Sequence, residues 1–143
     1  MTNGALDKYR AVRADIEKKL QEARSLAQAA FTEALMEPFD KFPELESFSW
    51  TQYTPWFNDG DECVFSVHTD PEMIYINDQK LYDYDWNSDT RKYEPEWVSD
   101  AADMVGNILE SFDESDLKWI YDDHVRVTIY RDGTAEVENY SHD

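Results

Sequence analysis

Residues 5–37, ALDKYRAVRADIEKKLQEARSLAQAAFTEALME, contain neither proline nor glycine and consist mainly of Ala, Leu, Glu, Lys, Arg and Gln, the residues that lose least on entering a helix. Thr2 or Asn3 supplies a cap and Pro38 a stop, so one helix is predicted over 5–37. At 1.5 Å per residue it would run about 50 Å, longer than the diameter expected of the roughly 110 residues that follow. Such a helix must bend, project from the rest, or lie against a second copy. Its apolar residues, Leu6, Tyr9, Val12, Ile16, Leu20, Ala23, Ala27, Ala30, Phe31 and Ala34, recur in steps of three and four and draw one stripe. Tyr9, Ile16, Ala23 and Ala30 keep heptad spacing, but Lys19 and Glu33 interrupt the companion series that contains Val12 and Leu26. The expectation is therefore docking on the chain's own sheet, or a homodimer through Tyr9, Val12, Ile16, Leu20 and Ala23, in place of an uninterrupted coiled coil.

Charge divides the chain near the end of this segment. Residues 1–36 hold six basic and five acidic side chains, whereas residues 37–143 hold seven basic and 27 acidic ones, a net of −20 in a chain of −19. That surplus favours solubility and opposes binding to nucleic acid or to anionic membranes. A macromolecular partner is expected to be basic, or to be itself a binder of polyanions. No apolar run approaches the roughly 18 residues needed to span a bilayer, and the first residues carry charge where a signal peptide needs an apolar core. A soluble, cytoplasmic protein is expected. One cysteine, Cys63, excludes an internal disulfide and a thiolate-based zinc site, and reads as a small buried hydrophobe.

After EPFDKFPE the period of the apolar residues changes to two. FSWTQYTPWF (48–57), CVFSVH (63–68) and MIYIND (73–78) read as a three-strand meander with an acidic turn at NDGDE. A last hairpin spans 125–140. A two-residue Asp132-Gly133 loop would set Val127 and Ile129 opposite Glu138 and Glu136. A three-residue loop, 131–133, sets Ile129 opposite Ala135 and Val127 opposite Val137, with Gly133 free to take positive φ, and this register is predicted. Residues 95–112 place Trp97, Val98, Ala101, Met104, Val105, Ile108, Leu109 and Phe112 at helical spacing, and a helical turn is expected within 114–122. The sum is a single α+β domain: a long N-terminal helix, about five antiparallel strands, and a second helix group, 95–122, covering one sheet face.

The stretch WTQYTPWFNDGDECVFSV (50–67) resembles a W-T-Q-Y-T-P-[YF]-F-N-D-G-D-x-C-x-F pattern of small tailed-bacteriophage proteins with no assigned activity, departing from it at Trp56. The resemblance covers 18 residues. It implies a phage-type accessory protein acting in a bacterial host, and no catalytic role for any residue.

The stretch with most chemical content is DYDWNSDTRKYE (83–94). Asp83, Asp85, Asn87, Asp89 and Glu94 fall at positions 1, 3, 5, 7 and 12 of a calcium loop. Position 6, normally Gly, is Ser88, and no pair of helices flanks the loop. A solvated acidic loop with its aromatics in the core is the second reading. The third interleaves carboxylates with Tyr82, Tyr84, Trp86, Tyr93 and Trp97 as a surface complementary to the Arg, Lys and stacking groups of a nucleic-acid-binding protein. On that reading the partner-facing residues are Asp83, Tyr84, Asp85, Trp86, Asp89, Glu94 and Glu96, joined by Asp59, Asp61 and Glu62. His68, Asp122, Asp123 and His124 are candidates for a site assembled at adjacent strand ends. No H-E-x-x-H, G-x-S-x-G or Walker sequence is present, and four glycines leave no phosphate-cradling loop.

Three functions follow as expectations. One is a non-enzymatic acidic binding protein, a DNA mimic inhibiting a basic host protein, with no cofactor. The second is an assembly protein dimerising through the N-terminal helix. The third is a small metal-binding protein or enzyme using an acidic loop.

Overall fold

The computed structural model describes residues 4–55 and 63–141. Helix α1 spans Gly4–Ala34 and the short α2 spans Glu37–Lys41. The predicted stop at Pro38 is displaced, because a proline lacking N–H is tolerated in a first helical turn, and Pro38 lies in the first turn of α2. The break falls at 35–36, where Leu35 N donates to Phe31 O (3.0 Å) and Met36 N to Glu33 O (3.1 Å). This tight turn sends Leu35 and Phe39 into the core. Arg131 secures the segment that follows, donating to Leu45 O (2.8 Å), Phe39 O (3.0 Å) and Phe42 O (2.7 Å).

Strand β1 (Ser47–Tyr53) is the centre of the sheet and is buried along its whole length. Beside it lie β2 (Ser66–Val67) and β3 (Tyr75–Ile76) on one edge and β7 (Val125–Tyr130) on the other. β4 (Gln79–Lys80) extends the first edge and β8 (Ala135–Asn139) the second, and all pairings are antiparallel. The meander is corrected in its connectivity. β3 does not pair with β2; Gln52 faces Val67 and Phe48 faces Ile76, so β2 and β3 form one interrupted strand along β1. The interruption is the turn Pro71–Met73, where Asp70 accepts from Glu72 N. Asn77 and Asp78, both at positive φ, close the two-residue β3–β4 turn. The last hairpin has the predicted register, Val127 opposite Val137 and Ile129 opposite Ala135, with Gly133 at φ +88°.

Helices α3 (Glu96–Glu110) and α4 (Glu114–Tyr121) cover one sheet face. Their apolar sides meet Phe48, Trp50, Val125, Val127 and Ile129 in the main core. Gly106 permits α3 to approach: a Cβ there would lie 2.3 Å from Thr69 O. Gln52, fully buried, ties β1 to α4, accepting from Trp50 Nε1 (3.0 Å) and donating to Leu117 O (2.9 Å) and Asp122 O (2.8 Å). On the opposite face small and polar side chains are covered by other side chains. Arg126 donates to Ser49 Oγ (3.0 Å) and lies 3.9 Å over the Tyr75 ring, while Tyr53 packs on His68 and Tyr140. Among the described residues no helix is long and apolar enough to cross a membrane.

Candidate functional site

α3 has two opposed faces. Val98, Ala101, Ala102, Val105 and Leu109 are buried, and the side pointing away from them carries Glu96, Asp100, Asp103, Asn107 and Glu110. These polar residues are spaced i, i+4, i+7, i+11 and i+14, which keeps them within one narrow stripe about 21 Å long. Beside the row runs an open groove of about 620 Å³ between α2 and α3, with Phe42, Met104 and Ile108 as apolar lining and Glu37, Lys41, Asp100 and Asp103 at its polar margins. Burial raises the proton affinity of the Asp103 carboxyl; Lys92 opposes this and Asp100 adds to it.

The hairpin of β5 (Asp85–Asn87) and β6 (Lys92–Glu94) stands at the N-terminal end of this row. Tyr93 N donates to Ser99 Oγ (2.8 Å), and Lys92 Nζ lies 3.6 Å from Glu96 and in contact with Asp100. The hairpin departs from the geometry of a calcium loop, and of the solvated-loop reading it keeps the exposed carboxylates but not a buried Trp86. Its register sets Asp85 opposite Glu94 and Asn87 opposite Lys92. Asn87 Oδ1 accepts from Asp89 N (2.9 Å) to shape the turn, while its amide nitrogen donates to Glu94. The five candidate ligands are thus distributed over Leu81–Asp83, two strands and their turn. Among the described residues no three His, Cys, Asp or Glu side chains gather as a metal site.

Of the predicted partner-facing residues, Asp83, Asp85, Trp86, Asp89, Glu94 and Glu96 are exposed. Trp86 is 55% exposed, edge-on to Tyr93 at 4.9 Å. Tyr84 is half-buried, its hydroxyl donating to Ile76 O (2.9 Å), so it anchors the base of the hairpin and is corrected as a contact residue. Asp59, Asp61 and Glu62 lie outside the described residues, as do Trp56 and Phe57. Sequence reasoning missed Glu37, Asp100, Asp103 and Glu110. The signal was present: the carboxylates of 96–110 repeat at helical spacing opposite the apolar residues used to predict α3.

The oligomerisation candidates Tyr9, Val12, Ile16, Leu20 and Ala23 are all exposed on the N-terminal two-thirds of α1. The expected docking on the sheet is corrected: α1 docks instead on α4 and the end of α3, and only from Arg24 onward, where Arg24 donates to Ile120 O (3.1 Å) and pairs with Asp122 (2.9 Å) and Phe31 lies edge-on to Phe112. The strand-end cluster has a structural use. Asp123 accepts from Thr54 N (2.8 Å), Thr54 Oγ1 (2.7 Å) and His124 N (2.9 Å); burial opposes ionisation, yet these bonds hold its carboxyl below the usual range. His68 packs against Tyr53. Cys63 precedes β2 and is half-buried, a correction to the buried-hydrophobe reading.

Comparison with known protein families, curated proteins and solved structures finds no match to this chain.

Proposed function

We propose that this is a non-enzymatic acidic binding protein, a phage-type inhibitor that engages a basic nucleic-acid-binding host protein in place of DNA. The outward row of α3, Glu96, Asp100, Asp103 and Glu110 beside a groove with apolar lining, carries the reading. Neighbouring carboxylates along it are about 4.5–6 Å apart in axial rise, except across Asn107, a regular linear array somewhat wider than the roughly 3.4 Å axial rise of phosphates along one DNA strand. The apolar lining suits the aliphatic stem of a Lys or Arg whose head reaches the carboxylates.

Two local costs support it. Asp85 stands directly opposite Glu94 across the hairpin, a like-charge pairing that weakens a sheet. Asp103 sits where its ionised form is disfavoured, and a cation would relieve both. Of the body's cations, Lys92 already meets the N-terminal end of the row at Glu96 and Asp100 and Lys41 lies at the groove margin, while Arg131 holds backbone carbonyls, Arg126 pairs with Asp78, and Lys118 faces Asp123.

The test uses the immobilised full chain and the heparin-binding fraction of a bacterial lysate. Retention of a protein that double-stranded DNA then elutes, with binding that weakens as salt rises, is expected. Retention insensitive to both DNA and salt contradicts the proposal.

A further inference from the structure

We infer that the exposed stripe of α1 pairs antiparallel with α1 of a second copy, setting two acidic bodies at opposite ends of a helical rod; this does not depend on what the acidic row binds. Ala5, Tyr9, Val12, Ile16, Leu20, Ala23, Ala27 and Phe31 follow one another in steps of 4-3-4-4-3-4-4, a repeat of eleven residues. Eleven residues in three turns nearly match the natural pitch of a helix, so the stripe runs almost straight and Lys19 and Glu33 fall outside it. The C-terminal end of this same stripe is covered by the chain itself: Ala27 and Phe31 pack against the core. The rest is bare. Tyr9, Val12, Ile16 and Leu20 are between 50% and 57% exposed, and every residue from 4 to 23 is exposed. Helix of that length draws most of its stability from a covered apolar face, which the described residues of one copy do not provide.

Charge selects the occupant and its direction. Residues 37–143, net −20, all follow the C-terminal end of α1, so a parallel pair would press two such bodies together. An antiparallel overlap of residues 5–23 separates their attachment points by about 28 Å, more than three Debye lengths of ~8 Å at physiological salt. The cations bordering the stripe are already partnered within the chain: Arg13 with Glu17 (3.2 Å), Lys19 with Asp15 (2.9 Å) and Arg24 with Asp122 (2.9 Å). Antiparallel register sets Val12 against the second copy's Ile16, Tyr9 against its Leu20, and Ala5 against its Ala23, large residues central and small ones at the ends. Covering these residues on both copies removes on the order of 1,000 Å², just below the range of stable interfaces. The pair should therefore form at micromolar concentration and dissociate on dilution, as a closed two-fold assembly.

Sedimentation equilibrium of the full chain should return a dimer mass that falls toward the monomer on dilution. Ile16→Glu should be monomeric throughout, with the near-ultraviolet circular dichroism of the body unchanged; if that variant misfolds, Val12→Glu serves in its place. Direction is read in a Cys63→Ser background by mixing Ala5→Cys with Ala23→Cys protein under mild oxidation. Preferential mixed 5–23 disulfides are expected. A monomer at every concentration, a dimer indifferent to both glutamate substitutions, or preferential 5–5 disulfides would each overturn the inference.

Discussion

Replacing Gln52 by methionine, nearly the same volume with no polar group, tests how the sheet is joined to the helices over the acidic face. Gln52 is fully buried and makes three hydrogen bonds at once. Gln52→Met strands Trp50 Nε1 in the interior and removes the second bond to Leu117 O, which keeps its partner within α4, while water can reach Asp122 O at the exposed end of α4. One buried donor left without a partner costs about 1–3 kcal/mol, the lost second bond to Leu117 O adds about 0.5–1 kcal/mol, and the gain from a more apolar side chain offsets about a quarter of the sum. The expected loss is about 1–3 kcal/mol, against a total stability of about 5–15 kcal/mol for a domain of this kind. In urea unfolding the midpoint should fall with the slope unchanged, and the thermal midpoint should drop by about 3–9 °C. Gln52→Glu supplies the internal control. Its carboxylate faces two carbonyl oxygens, and burial raises its pKa, so the deficit should shrink as pH falls and the group becomes a neutral donor. A methionine variant as stable as the parent to within about 0.5 kcal/mol would mean that these bonds do not join sheet to helix as described.

Gly106→Ala forces a methyl against Thr69 O and should cost about 1–3 kcal/mol by the same unfolding assay, despite alanine's better helix propensity. Asp103→Asn should stabilise the protein at neutral pH by up to about 1 kcal/mol, because the ionised carboxylate is disfavoured where it stands, and should weaken partner binding at the same time. Asp123 has its pKa lowered by folding, so its contribution is fully present above the unfolded value of about 3.9 and is lost as pH falls through the folded value. The stability difference between the parent and Asp123→Asn should accordingly be large at neutral pH and close toward zero in acid.

Legibility from sequence varied with how locally each feature is determined. The β7–β8 register could be read because Gly133 and the alternation of Val127, Ile129, Ala135 and Val137 agree on one loop length. α3 and α4 could be read from periodicity. The route from β2 to β3 could not, since the choice between pairing β3 with β2 or with β1 depends on how Pro71 turns the chain against Gly106 of α3, a contact between distant segments. The β5–β6 hairpin was obscured by its composition: alternate carboxylates resemble a cation loop as much as a strand, and Asn87 and Arg91, not a glycine pair, shape its turn. The acidic row of α3 lay in plain view on the outer side of a helix read only for its apolar side. Half of α1 was legible in the opposite sense: its stripe is real, but the chain does not cover it.

On the proposed function, the arrangement of carboxylates on α3, and not the net charge, recognises the partner. Two variants that each remove four negative charges separate these directly. One neutralises Glu96, Asp100, Asp103 and Glu110; the other neutralises Glu33, Glu44, Glu46 and Glu138, which are exposed on other elements. Measured against the DNA-eluted protein from the heparin-binding fraction, the first should lose at least tenfold in affinity and the second should stay within about threefold of the parent at physiological salt, as screening predicts for dispersed surface charge. Equal losses from both variants, or no loss from the first, would contradict the account.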